Sequence, residues 1–158
     1  MLNIFYMFVV HAYLGSVVMS FQEKSAYVMV IALLLGGGLY FYEVLSQSMG
    51  LETWVSPVLP GLIQLTFTLV IISIIGHIII AAMSPKEAEA KLDEREKQIF
   101  NRAGSFSGGF LGFVVILSLG CYLISEDGVL LFYTVFAGLI VSQLTEYMTR
   151  IFLYRTAL

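Results

Sequence analysis

The residues with the clearest chemical potential lie near the C-terminus. Thr134, Gly138, Ser142, Glu146 and Arg150 recur at four-residue spacing, which places them along one face of a helix. Glu146 and Arg150 can pair within that helix, and pairing lowers the cost of holding a carboxylate inside a membrane. Two interpretations are open. The stripe is either a helix-packing face whose charged end reaches interfacial water, or the lining of a path for protons or ions.

The two histidines of the chain suggest a second kind of site. His11 and His77 lie within long apolar runs, and at 1.5 Å per residue their depths differ by roughly 5 Å. Two axial haem ligands are thus geometrically permitted, and both side chains are also candidates for the polar path. Because the chain has no second His pair, we favour histidines that form structural hydrogen bonds, and we predict no cofactor and no metal ion.

Enzymatic motifs are lacking in this sequence. It contains no His-Glu-x-x-His, no Gly-x-Ser-x-Gly and no phosphate-cradling loop. Asp93 and Asp127 lie outside the apolar runs, so no pair of aspartates is available inside a membrane. The single cysteine, Cys121, excludes a disulfide framework. We therefore predict a protein that is not an enzyme, and the lack of a basic block argues against nucleic acid as a partner.

Composition places the elements that carry these residues in a lipid bilayer. Of 158 residues, 59% are hydrophobic and 12% are charged, and the mean hydropathy is +0.91. A soluble domain is about 45–50% apolar and about 25% charged. A span needs about 20 apolar residues, and such runs occur at 2–20, 26–46, 57–83, 105–124 and 129–149. The sequence predicts one all-α membrane domain, a helical bundle of five transmembrane helices, with four spans as the alternative.

All eight Lys and Arg residues fall on one side of this threading. They lie after the first span, between the third and fourth spans, and after the fifth: Lys24, Lys86, Lys91, Arg95, Lys97, Arg102, Arg150 and Arg155. The other side carries Glu52, Glu126 and Asp127. Because Lys and Arg are retained on the cytoplasmic side during insertion, we predict a bacterial inner-membrane protein with its N-terminus outside and its C-terminus in the cytoplasm.

Residues 85–103 are predicted to form an amphipathic cytoplasmic helix. Ser84-Pro85-Lys86-Glu87 has the form of a capping box with Pro in the first turn, and Gly104 would end the helix. The segment is charge-balanced, so strong attraction to anionic lipid is not expected. It is either a solvated connector or a docking surface for a partner or a second copy. The candidate contact residues are Asp93, Glu94, Arg95, Glu96 and Lys97.

Small residues indicate where helices can approach closely. They are Gly36, Gly37 and Gly38 in the second span, Gly108 and Gly112 in the fourth, and Gly138 in the fifth. Helix backbones in membranes pack through such residues, because hydrophobicity gives no net drive to associate there. Packing is the favoured interpretation, and the triple glycine could instead unwind the second span at a binding site.

The charged segment also carries a likeness to known proteins. Asp93-Glu94-Arg95-Glu96-Lys97-Gln98-Ile99, then Arg102-Ala103-Gly104-Ser105, then two apolar spans with aromatic and basic ends, resembles a family of small bacterial and archaeal membrane proteins known only as a domain of unknown function. Its members look like four-span proteins with an Asp-Glu-Arg-Glu/Asp motif between the second and third spans. The resemblance covers about residues 85–155 and, more loosely, the two preceding spans, while the extra first span departs from it. It implies an architecture and no catalytic residue.

These observations predict a non-enzymatic polytopic membrane protein. Its charged cytoplasmic helix would dock a membrane or cytoplasmic partner protein or organise a homo-oligomer, with the lipid bilayer around the bundle. One alternative is a small transporter or channel subunit with a polar path along the fifth span. A less favoured third is a haem-binding membrane protein.

Overall fold

A computed structural model describes residues 19–51 and 53–156 and shows an all-α protein. Four of the helices in this part of the chain are long and apolar enough to cross a membrane, and one is a single turn. In chain order they are α1 (Phe21–Leu51), α2 (Leu59–Met83), the short α3 (Pro85–Ala88), α4 (Glu94–Ser125) and α5 (Gly128–Thr156). The prediction of a multi-pass helical membrane protein is confirmed.

The four long helices pack in the order α2–α1–α5–α4. Helix α1 packs against α2 and α5, and α4 packs against α5. Neighbours are antiparallel: Lys24 at the start of α1 bonds to Ser84 beyond the end of α2, and Glu23 bonds to Arg155 near the end of α5. The outer helix α2 buries only Leu65 and Ile80 within the described bundle. Its other apolar side chains therefore suit contact with lipid rather than with water.

The antiparallel order gives the bundle two chemically different ends. All eight Lys and Arg residues belong to the start of α1, the segment from α3 into the first turns of α4, and the last two turns of α5. We call this the basic end. The opposite end carries Glu43, Trp54, Glu126 and Asp127 and is called the acidic end.

The structure does not support two parts of the sequence-based prediction. These are the five spans and the separate cytoplasmic helix. The first predicted span, 2–20, lies outside the described residues except for Met19 and Ser20, which are not helical. The helix predicted over 85–103 ends at Ala88, residues 89–93 are not helical, and α4 then runs unbroken through Gly104. Within residues 19–51 and 53–156, the supported architecture is four long helices without an additional amphipathic helix.

A second capping box explains the break before α4. The Asp93 carboxylate accepts a hydrogen bond from the Glu96 backbone N–H at 2.6 Å, and the Glu96 carboxylate accepts one from the Asp93 backbone N–H at 3.3 Å. This reciprocal pairing satisfies two N–H groups at the start of α4. A helix continuing from Pro85 would forgo it. Gly104 does not have a positive φ, so it lacks the backbone geometry of a helix stop.

Three of the predicted packing glycines lie at close helix contacts. A Cβ atom added at Gly36 would lie 2.9 Å from a methyl group of Leu69, and one at Gly37 would lie 3.0 Å from Ile140. At Gly138 the distance to a Val114 methyl group would be 2.6 Å. These glycines lie at the contacts of α1 with α2, α1 with α5, and α5 with α4, so each of the three interfaces uses one.

The other predicted packing glycines have open space beside them in the described structure. No atom lies within 4 Å of a Cβ added at Gly38, Gly108 or Gly112. Helix α1 also passes through Gly36–Gly38 without a break, so the triple glycine does not unwind it. Gly76, which the sequence did not single out as a packing residue, instead lies against Val28 where α1 meets α2.

An aromatic core fills the bundle toward the acidic end. Tyr40, Val44, Leu65 and Tyr133 are buried together, which joins α1, α2 and α5. The Tyr133 hydroxyl donates to the backbone carbonyl of Val55 at 2.9 Å, so the connection between α1 and α2 is fastened to α5. This core holds the acidic ends of three helices in fixed relation.

Candidate functional site

The polar stripe of α5 contacts α4. The Ser142 hydroxyl donates to the Ser107 backbone carbonyl at 2.9 Å, and the Ser107 hydroxyl donates to one carboxylate oxygen of Glu146 at 3.2 Å. The other oxygen of Glu146 accepts from the Arg150 guanidinium. Ser142 is only 1% exposed. We call these four residues the Glu146 cluster; it fastens α5 to α4 through hydrogen bonds.

Arg150 is held by aromatic rings as well as by its carboxylate partner. Its guanidinium carbon lies 3.9 Å from the centroid of the Phe100 ring and 5.0 Å from that of Tyr147. Side chains of Glu146 and Arg150 are each 17% exposed. The Nε atom of Arg150 is buried without a hydrogen-bond partner among the described residues. Cation–π contact is favourable for a desolvated guanidinium, so the rings offset part of its lost hydration.

His77 forms a separate polar contact between α1 and α2. Its Nδ1 atom lies 2.7 Å from the Ser73 backbone carbonyl and its Nε2 atom 2.8 Å from the Ser25 hydroxyl. A carbonyl only accepts, so in the neutral ring Nδ1 donates to it and Nε2 accepts from Ser25. Both nitrogens are occupied by hydrogen bonds. This geometry is that of a histidine that joins two helices by hydrogen bonds; His11 lies outside the described residues.

Two further contacts at the basic end involve residues that the sequence placed in a short connection. Glu23, 8% exposed, accepts from Arg155 at 3.0 Å. The Lys24 ammonium donates to the Ser84 hydroxyl at 2.8 Å. The signal that could have located them is Ser20-Phe21-Gln22-Glu23, which has the Ser-x-x-Glu form of a helix start. The Ser20 hydroxyl does accept from the Glu23 backbone N–H, at 3.2 Å.

The Asp-Glu-Arg-Glu motif divides into residues that bind the bundle and residues that do not. The Tyr154 hydroxyl of α5 donates to Glu96 at 3.3 Å, and the Arg95 guanidinium donates to the Tyr154 backbone carbonyl at 3.5 Å. Glu94 and Lys97 instead pair with each other at 2.7 Å, with side chains 84% and 53% exposed. The first turn of α4 is thus fixed against α5 while its outer face stays accessible.

The predicted polar-path residues do not meet along one line. Ser142, Glu146 and Arg150 lie between α5 and α4, whereas His77 lies between α2 and α1. In the packing order α2–α1–α5–α4, the contact between α1 and α5 lies between these two sites. Among the described residues, these candidates therefore belong to two separate interhelical polar contacts.

No metal site is formed by the described residues, in which no group of three or more His, Cys, Asp or Glu side chains comes together. The chain matches no known protein family, no curated protein and no solved structure. The likeness of residues 85–155 to a family of small membrane proteins therefore stays a prediction.

The Glu146 cluster yields a stability prediction. In Glu146→Gln, Arg150 is left buried without a charged partner, and we expect the free energy of unfolding to fall by on the order of 3 kcal/mol. Arg150→Gln should cost a similar amount, because it leaves the carboxylate uncompensated. The double variant should lose clearly less than the sum of the two. Unfolding in detergent micelles, followed by circular dichroism, measures these values.

Glu94→Gln is the matched control, since it changes an exposed carboxylate, for which a change of about 0–1 kcal/mol is expected. Equal stability of Glu146→Gln and the parent protein would show that the ion pair does not support the α4–α5 contact.

Proposed function

We propose that this chain is a non-enzymatic protein of the bacterial inner membrane whose basic end docks a partner protein or a second copy. One observation carries the proposal: some charges of this end are held in the bundle and others are exposed. Glu23, Glu146 and Arg150 are largely buried and occupied by contacts between or along helices. The exposed charges include Glu89, Lys91, Glu94 and Lys97. We call these four residues the charged rim.

Helix length supports exposure of the charged rim beyond the lipid. Helix α4 has 32 residues and is about 48 Å long at 1.5 Å per residue, whereas the hydrocarbon layer is about 30 Å thick. The charged first turn of α4 can therefore stand outside the hydrocarbon while the apolar remainder spans it. Its contacts with Tyr154 fix the direction in which the rim points.

A fixed charged surface suits protein recognition. The charged rim has two acidic and two basic side chains, so it can match a complementary pattern on a partner without attracting anionic lipid strongly. Because the turn is already ordered, little conformational entropy is lost when a partner binds. A transporter or channel role has less support, because Ser142 and Glu146 are bonded to α4 in place of lining an opening.

The docking proposal predicts a crosslink that depends on the rim charges. A photoreactive residue at exposed Gln98 should give one discrete adduct in cells, whose mass distinguishes a second copy from another protein. Glu94→Ala/Lys97→Ala in the same background should reduce that adduct at least tenfold. Removing this exposed pair should change stability by about 0–1 kcal/mol, so the loss would report docking and not unfolding.

A photoreactive residue at Glu126, at the acidic end, is the control and should not give this adduct. An undiminished adduct in the Glu94→Ala/Lys97→Ala protein would contradict the docking proposal.

The orientation within the membrane is also part of the proposal. We place the basic end in the cytoplasm, because Lys and Arg are retained there during insertion, and we place an additional span at residues 2–20, which would leave the N-terminus outside. In a Cys121→Ser background, Glu126→Cys should react with a membrane-impermeant maleimide on intact spheroplasts. Glu94→Cys should react only after permeabilisation, and the reverse pattern would overturn this orientation.

A further inference from the structure

The acidic end contains a small cavity that the docking proposal does not use. It has a volume of about 140 Å³ and lies where α1, α2 and α5 meet the connection between α1 and α2. Its polar lining consists of Tyr40, Glu43, Gln47, Ser56, Gln64 and Tyr133. Drug-sized ligands occupy about 300–1,000 Å³, so this cavity has room for a group of a few heavy atoms.

We propose that this cavity binds a primary ammonium group. Its lining has one carboxylate, Glu43, and no cationic side chain. Gln47 donates to one oxygen of that carboxylate at 3.2 Å, which orients it. The hydroxyl of Tyr133 already donates to Val55, so it can only accept from a ligand. The three N–H groups of an ammonium match such a set of acceptors.

The charge distribution of the whole chain favours a cation at this position. All eight Lys and Arg residues belong to the basic end, so no Lys or Arg side chain competes for Glu43. Aromatic rings border the cavity, since Tyr40 and Tyr133 line it and the Trp54 ring lies 5.8 Å from that of Tyr133. Ring faces attract organic cations. A Ca²⁺ ion binds about six to eight oxygen ligands, several of them from carboxylates, whereas this lining has one carboxylate.

The two tyrosine walls of the cavity are held in place before any ligand arrives, whereas Glu43, Gln47 and Gln64 are exposed. Tyr40 and Tyr133 are 7% and 5% exposed and pack edge-on against Phe136 and Phe132 respectively. Gly61 of α2 lies beside the Tyr40 ring, and a Cβ there would be 3.4 Å from it, about an ordinary van der Waals contact. A second, smaller pocket of about 20 Å³ between α1 and α2 shares Tyr40, Glu43, Gly61 and Gln64 with this cavity and reaches Thr68. Fixed walls reduce the ordering cost of binding.

An ammonium at this end has two sources with the same chemistry. It can be the headgroup of an aminophospholipid, since Trp54 and Tyr42 are residues of the kind that mark membrane interfaces. It can also be a free primary amine from the surrounding water. The experiment therefore needs one arm without lipid amines and one with them.

Trp54 is the single tryptophan of the chain, and its fluorescence should report binding. In amine-free detergent micelles, ethanolamine should give a saturable change in emission, and ethylene glycol, its neutral counterpart, should give none. Glu43→Gln and Gln64→Leu should each weaken the response at least tenfold. Glu126→Gln, at the same end but outside the cavity lining, should leave it unchanged. No saturable response, or an equal response in Glu43→Gln, would overturn the proposal.

Nanodiscs then separate the two sources. If the ligand is a lipid headgroup, phosphatidylethanolamine nanodiscs should abolish the ethanolamine response that phosphatidylcholine nanodiscs preserve. If the ligand is a free amine, both kinds of nanodisc should give the micelle response. A loss of the response in both would show that the cavity does not bind an ammonium in a bilayer.

Discussion

Lipid offers no hydrogen-bond partner, so polar groups within a membrane must be satisfied within the protein, by their own helix or by a neighbouring one. This constraint determines which helices are neighbours in the present chain. Apolar contacts alone distinguish poorly between partners, because lipid tails are as apolar as the side chains that they would replace. The Glu146 cluster selects α4 for α5, His77 with Ser25 selects α2 for α1, and Glu23 with Arg155 selects α5 for α1. Glycines then allow the backbones so paired to approach closely.

The bundle divides its chemistry between two ends, and one asymmetry underlies both. Concentrating Lys and Arg at the basic end supplies the Arg155–Glu23 ion pair that joins α5 to α1 and the exposed rim proposed for docking. The same concentration leaves the acidic end without basic side chains. Its cavity is consequently lined by acceptors and aromatic rings. A single pattern in the sequence thus underlies both the rim proposed to contact proteins and the cavity proposed to bind a cation.

Hydropathy was enough to predict the membrane-spanning character of α1, α2, α4 and α5, because long apolar runs need few other cues. The break before α4 was not predicted, since Ser84-Pro85 and Asp93-Glu96 are competing capping signals and the sequence alone does not rank them. Asp93 caps α4, and Lys97 pairs with Glu94. The grouping of Ser142, Glu146 and Arg150 followed from their spacing. The cavity was not predicted, because Glu43, Gln64 and Tyr133 come from three helices whose pairing no local pattern encodes.

The central claim is that the polar residues of α5 in the Glu146 cluster hold α5 against α4 and do not line a water-filled passage. Reaction of Ser142→Cys with a water-soluble methanethiosulfonate, in a Cys121→Ser background, tests it most directly, because Ser142 is the most deeply buried member of the Glu146 cluster. The account predicts no reaction at position 142 under conditions in which Glu94→Cys reacts fully. Reaction at position 142 at a rate comparable to that at position 94 would show that water reaches the stripe, and would contradict the account.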